Sequence, residues 1–189
     1  MLGRIGSAGS AAAALGALVA LAPAAPALAE ETTCTGSLGA VTVDNLRVPE
    51  GARCVLTHTR VEGTIKVERS AVLGARRVRV IGNVQGENAR RVNVIRSRVG
   101  GSVQVKQGRA ARVFRSFVNA DIQYDANRSR LAASRNQVGG NIQVFQNSGG
   151  VRIARNRVDG NLQCKENSPA PRGGGNVVQG NKEDQCAGL

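Results

Sequence analysis

Glu68 and Glu87 lie 19 residues apart, and Lys106 follows after another 19. Two carboxylates flanking a glycosidic bond can share the acid and base work of cleaving it. A lysine in the same series relieves the charge of the two acids. The trio is the best candidate here for the site of a small polysaccharide lyase or glycoside hydrolase. The plainer reading is a mixed-charge surface ladder, which Asp125, another 19 residues on, would continue. Asp121 and Asp159 are two periods apart, about 10 Å by strand spacing, which is wide for such a pair. His58 is the single histidine. No GxSxG elbow, HExxH pair or phosphate loop is present, and no CxxC spacing suggests zinc. No metal or cofactor is expected.

A second series is longer. Arg77, Arg96, Arg115, Arg135 and Arg155 recur at intervals of 19, 19, 20 and 20, and His58 precedes them by 19. Beside it run Arg60, Arg79, Arg98 and Arg157, interrupted by Phe117 and Gln137. If these residues align in space, their charges lie well within a Debye length and their potentials add. Like charges 4–5 Å apart in water repel by roughly 1 kcal/mol, so such a row calls for solvent, anions or a partner. The net charge of +13 points the same way. The expected partner is an extended polyanion: an anionic cell-wall polymer such as teichoic acid, an acidic polysaccharide or, third, extracellular nucleic acid. The plain alternative is a solvated arginine-rich face. A third column, Lys66, Gln85, Gln104, Gln123, Gln143, Gln163 and Glu183, reads as an outward polar ladder on a face without aromatic residues.

Every one of these series needs a fold that returns the chain to one place every 19–20 residues. The motif φ-x-G-x-φ-x-φ, with φ apolar, supplies it. It starts at Val61, Val80, Val99, Val118, Val138, Val158 and Val178, with spacings of 19, 19, 19, 20, 20 and 20. A degenerate first copy, SLGAVTV, starts at Ser37. Seven residues upstream of the starts lie apolar pairs such as Val92/Val94, Leu131/Ala133 and Val151/Ile153. Short period-2 runs punctuated by Gly and Asn predict about three short strands per copy. One copy cannot bury its inward face, but stacked copies can. The expected fold is all-β: a single-stranded parallel β-solenoid of about seven coils, stacked at about 4.8 Å.

The asparagines repeat as faithfully as the apolar residues. Asn127, Asn147 and Asn167 form one column, Asn136 and Asn156 a second, Asn141 and Asn161 a third. Asn tolerates turn dihedrals and bonds both backbone and a stacked amide. These columns are expected to hold the corners.

Residues 1–29 read as a secretory signal peptide: Arg4, the apolar run AAAALGALVALAP, then ALAE with cleavage after Ala29. The mature chain, Glu30 to Leu189, is expected to be one secreted domain of the exterior or cell wall, monomeric and without a membrane span. Four cysteines in an exported chain favour disulfides. Cys34 and Cys54 are 20 apart, and Cys164 and Cys186 are 22 apart. Residues stacked on adjacent coils lie near disulfide separation, so the expected bonds are Cys34–Cys54 and Cys164–Cys186, one at each end. The last coil looks frayed, with SPAPRGGG in place of its second strand.

The repeats NQVGGNIQVFQN and NRVDGNLQCKEN resemble right-handed parallel β-helix repeats of the pectate-lyase-like superfamily. The whole chain also resembles small secreted proteins of high-GC bacteria. The resemblance implies a right-handed coil. It also implies how an active site would be built, since β-helix lyases and hydrolases gather carboxylates on a sheet face. The chain lacks the long loops that wall their clefts. A non-enzymatic surface protein is therefore expected first and a glycan-cleaving enzyme second. End-to-end stacking, as in bactofilin-like solenoids, ranks third, because stapled ends block the edge that would add a coil.

Overall fold

The computed structural model describes Gly3 and residues 30–189. The expected leader therefore lies outside the described residues, apart from Gly3. Among the described residues, no helix is long and apolar enough to cross a membrane. Three parallel sheets form a β-solenoid, and within each sheet every strand pairs with the one a full turn away. Sheet A has nine strands, from Glu31–Thr33 to Lys182–Asp184, while sheets B and C have eight each. Sheet B runs from Ser37–Leu38 to Arg172–Gly174, and sheet C from Thr42–Val43 to Val177–Val178. There are thus about eight turns, one more than the motif count.

Register explains the pattern. In sheet A, Ile122 pairs with Val103 and Ile142, and Gln123 with Gln104 and Gln143. Apolar residues stack on apolar ones inside, and glutamines on glutamines outside. Val61, Val80, Val99, Val118, Val138 and Val158 form the inward column of sheet C, each at 2% exposure or less. Tyr124 is the one tyrosine, and it lies in the core. Across the interior, sheet B carries small Ala111 and Ala133 on neighbouring strands. The Tyr124 hydroxyl donates to the Ala132 carbonyl at 2.9 Å, and burial holds its pKa far above the usual tyrosine range.

Each corner has its own ladder. At the A–B corner, Asn147 Oδ1 accepts the Asn127 backbone N–H (2.9 Å) and Asn127 Nδ2 (3.1 Å). Asn147 Nδ2 donates to Tyr124 O (3.0 Å) and Asn167 Oδ1 (2.9 Å). At the B–C corner the expected pair, Asn136 and Asn156, extends to Asn176 on one side and to Ser116 and Ser97 on the other. The C–A corner has the longest ladder, through Asn45, Thr64, Asn83, Ser102, Asp121, Asn141, Asn161 and Asn181. Its polarity is reversed. Here each backbone N–H donates to the side chain of the preceding coil, whereas at the two interior ladders it donates to the following coil.

The change of period from 19 to 20 lies at the A–B corner. Gly108 N–H donates to Asn127 Oδ1 at 2.9 Å, 19 residues on, yet Ala111 pairs with Leu131, 20 residues on. The added residue opens the corner where the asparagine column begins. In the shorter coils that place holds Ala89 and Gly108, and a Cβ on Gly108 would approach Ala89 O to 2.7 Å.

Three sequence expectations change. The first sheet-C copy starts at Val43, which pairs with Val61, not at Ser37, which pairs in sheet B with Val55. That copy lacks the motif glycine, and Asn45 enters the ladder directly, accepting the Thr64 N–H at 2.9 Å. The second strand of the last coil survives as Arg172–Gly174, with Gly173 packed against Ile153 where an inward side chain would otherwise stand. Both disulfides pair as expected, but not as stacked equivalents. Cys34 directly follows a sheet A strand and Cys54 is inward in sheet B, so the bond crosses the interior with Cα atoms 5.6 Å apart. Cys164 is inward in sheet A, and Cys186 lies in the turn beyond the last strand, with Cα atoms 5.2 Å apart. That turn also ends the interior ladders. Gln185 Oε1 accepts from Asn167 N (2.9 Å) and Nδ2 (3.0 Å), and Leu189 O accepts from Asn176 Nδ2 (3.4 Å).

Candidate functional site

The B–C corner is short: one residue leaves sheet B, one enters the ladder, and the next begins sheet C. Arg77, Arg96, Arg115, Arg135 and Arg155 occupy the first of these places. All five take left-handed backbone, with φ of 53, 49, 49, 56 and 56°, and His58 does the same at 59°. Each arginine N–H donates to the strand-end carbonyl of the following coil: Ile95, Phe114, Ser134, Ala154 and Gly174 in turn, at 2.9 to 3.2 Å. The backbone is thus satisfied on both sides of the turn, and the five side chains are exposed.

The second basic series stacks beside it in sheet C. Arg60 pairs with Arg79, Arg79 with Arg98, Arg98 with Phe117, Phe117 with Gln137 and Gln137 with Arg157. Between the two series runs a shallow open trough lined by Arg77, Arg79, Arg96, Arg98, Arg115 and Phe117. Carboxylates are scarce here. Among the described residues only Arg47 and Arg60 form ion pairs, with Glu31, Glu68 and Glu62. None of the five corner arginines has an acidic partner.

The basic surface also continues onto the outside of sheet B, which sequence spacing alone did not single out. Arg112, Arg152 and Arg172 stand in one outward column there, with Ala132 between the first two. The outward positions of that sheet carry no acidic residue among the described residues.

The trio Glu68, Glu87 and Lys106 is brought together on sheet A. Glu87 pairs with Lys106 and Lys106 with Asp125, and the trio lines an open depression with Glu50, Lys66 and Arg69. Glu68 is already engaged: it accepts from Arg47 Nη1 at 3.4 Å and from the Glu50 N–H at 3.0 Å. Asp121 and Asp159 are not a pair. Asp121 belongs to the C–A ladder, accepting the Asn141 N–H at 2.7 Å, and Asp159 stands two places earlier in the repeat. The later part of the glutamine column is bonded end to end, Gln123 to Gln143 to Gln163 to Glu183, at 2.8 to 3.0 Å. The face does carry one aromatic residue, contrary to expectation. Phe145 points outward between Asp125 and Lys165, because the Ile142–Phe145 strand continues past its last inward residue.

No family model, curated protein or solved structure matches this chain.

Proposed function

We propose that this chain is a non-enzymatic β-solenoid of the cell exterior, at the surface or in the matrix, that holds an extended anionic polymer along its B–C corner. The observation carrying this reading is the side chain found at a costly backbone position. Left-handed φ costs an ordinary L-residue about 1 kcal/mol, and Gly, Asn or Asp bear it best. The A–B corner has the same backbone, with φ of 53 to 57°, and there the residues are Asn88, Gln107, Ala126, Gln146 and Glu166. In the next coil of the B–C corner, Gly175 takes the place at 66°. The conformation therefore does not call for arginine, yet five consecutive coils carry it. The backbone positions of these arginines repeat at about the strand spacing of 4.8 Å, and among the described residues no carboxylate pairs with them. A multivalent anion would relieve them all at once. The two disulfides are compatible with an oxidising compartment.

The test is binding to teichoic acid, heparin and DNA across a salt series, with Arg96→Gln/Arg115→Gln/Arg135→Gln alongside. The wild type is expected to bind with a steep salt dependence. The variant is expected to show a log–log slope shallower by about 2, since each neutralised contact contributes about 0.7 to 0.9. Equal slopes would make the corner a solvated face. Unsaturated or reducing-end products released from acidic glycans would move the assignment to Glu68, Glu87 and Lys106.

A further inference from the structure

Two of the chain's three phenylalanines lie within one coil, on either side of Arg115. Phe114 ends the sheet B strand Ala110–Phe114, and Phe117 begins the sheet C strand Phe117–Val118. Both face outward and are half-exposed. Neither ring is required by the fold. In other coils the Phe114 place holds Thr57, Arg76, Ile95, Ser134 and Ala154, and the Phe117 place holds arginine or Gln137, with Thr42 and Val177 at the two ends. Each ring is faced by guanidinium groups. Arg112 and Arg115 lie 4.6 and 5.2 Å from the Phe114 centroid, and Arg98 lies 5.5 Å from that of Phe117. The trough between the two basic series runs up to Phe117.

We propose that Phe114, Arg115 and Phe117 form a base-stacking platform on the basic corner, and that the polymer held there is single-stranded nucleic acid. This rests on the polyanion reading above and narrows it. A polymer that is only charged would use the arginines and leave the rings idle. A polymer carrying both a phosphodiester chain and flat π-faces uses both, its phosphates on the arginine series and its bases on the rings and guanidinium planes. A duplex keeps its base faces stacked inside, so the unpaired strand fits and the paired one does not. The rings carry no pocket that reads base edges, so the platform is indifferent to sequence.

The experiment compares an oligothymidylate, a duplex of the same length, inorganic polyphosphate of matched length and heparin, each against the full protein at physiological salt. The variant is Phe114→Ser/Phe117→Gln, which installs the residues of the adjacent coil, Ser134 and Gln137, and so leaves the fold its own precedent. The expected result is oligothymidylate bound ~10-fold or more tighter than polyphosphate. The variant should lose about that factor on the oligothymidylate and nothing on polyphosphate. Equal binding of the oligothymidylate and polyphosphate, or equal binding of strand and duplex, with an unchanged variant, would overturn the platform and leave the polyanion reading standing. Heparin bound tightest in a phenylalanine-dependent way would overturn nucleic acid as the ligand. No binding to any of the four would remove both readings.

Discussion

Asn147→Ala is expected to destabilise the protein by about 3–5 kcal/mol, a large share of the 5–15 kcal/mol typical of a domain. The side chain makes four buried hydrogen bonds at 2.9 to 3.1 Å and is 1% exposed. Removing it leaves the Asn127 N–H and the Tyr124 carbonyl without these partners in an interior that offers no replacement. Each orphaned group costs about 1–3 kcal/mol. Asn161→Ala is the control. Asn161 Oδ1 accepts the N–H of exposed Asn181 at 2.8 Å, where water can substitute, so about 0.5–1 kcal/mol is expected. Urea unfolding of the two variants checks the contrast. Equal losses would mean that the interior ladder is no more than a turn preference.

Gly101→Ala is expected to cost about 2–3 kcal/mol, through overpacking and a lost hydrogen bond. A Cβ at Gly101 would run into Asn83 Oδ1, which accepts the Ser102 N–H at 2.8 Å. The same conflict binds Gly63 to Asn45, Gly140 to Asp121, Gly160 to Asn141 and Gly180 to Asn161. One coil escapes it. Ala120 occupies the glycine position, and the ladder residue beneath it is the short Ser102, whose Oγ accepts the Asp121 N–H at 3.2 Å. Asn83→Ser should therefore rescue Gly101→Ala. The double variant is expected to recover about 1–2 kcal/mol relative to the sum of the single losses. Additive losses in the thermodynamic cycle would show that the glycine serves the backbone alone.

The solenoid was legible from sequence because its information is local and repeated. Two-residue alternation marks which side chains go inside, and a constant period stacks each residue on its own kind. The glutamine, asparagine and arginine columns followed from that arithmetic. Spacing misleads where the repeat changes. At Val43–Val48 a deleted glycine hid the first copy, and LGAVTV offered a false alternation just before it. The cysteines lie one period apart, but Cys34 sits beside sheet A and Cys54 in sheet B, so equal spacing did not mean equal place. Phe145 lies one place beyond the last apolar position of the motif, and only the register with Asp125 and Lys165 puts it on the outer face. The left-handed backbone of the arginines left no trace in sequence, since those residues are not the ones such geometry selects. Neither did the platform at Phe114 and Phe117, which appears only when a tight corner brings the ends of two sheets together.

The opposed polarity of the ladders sets an order of assembly. A coil emerging from synthesis can dock at once through the C–A corner, because the acceptors it needs already stand on the coil before it. Its two interior corners stay open until the next coil brings its asparagines. Until it does, the N–H groups of the leading coil at those corners bond water, so the open tip is the least stable part of the stack. The turn after the last sheet A strand supplies acceptors in place of a stacked coil, Gln185 Oε1 for Asn167 and Leu189 O for Asn176. Gln185→Ala, which spares the Cys164–Cys186 bond, is expected to speed amide exchange first at Asn167 and then backwards along its column at Asn147 and Asn127.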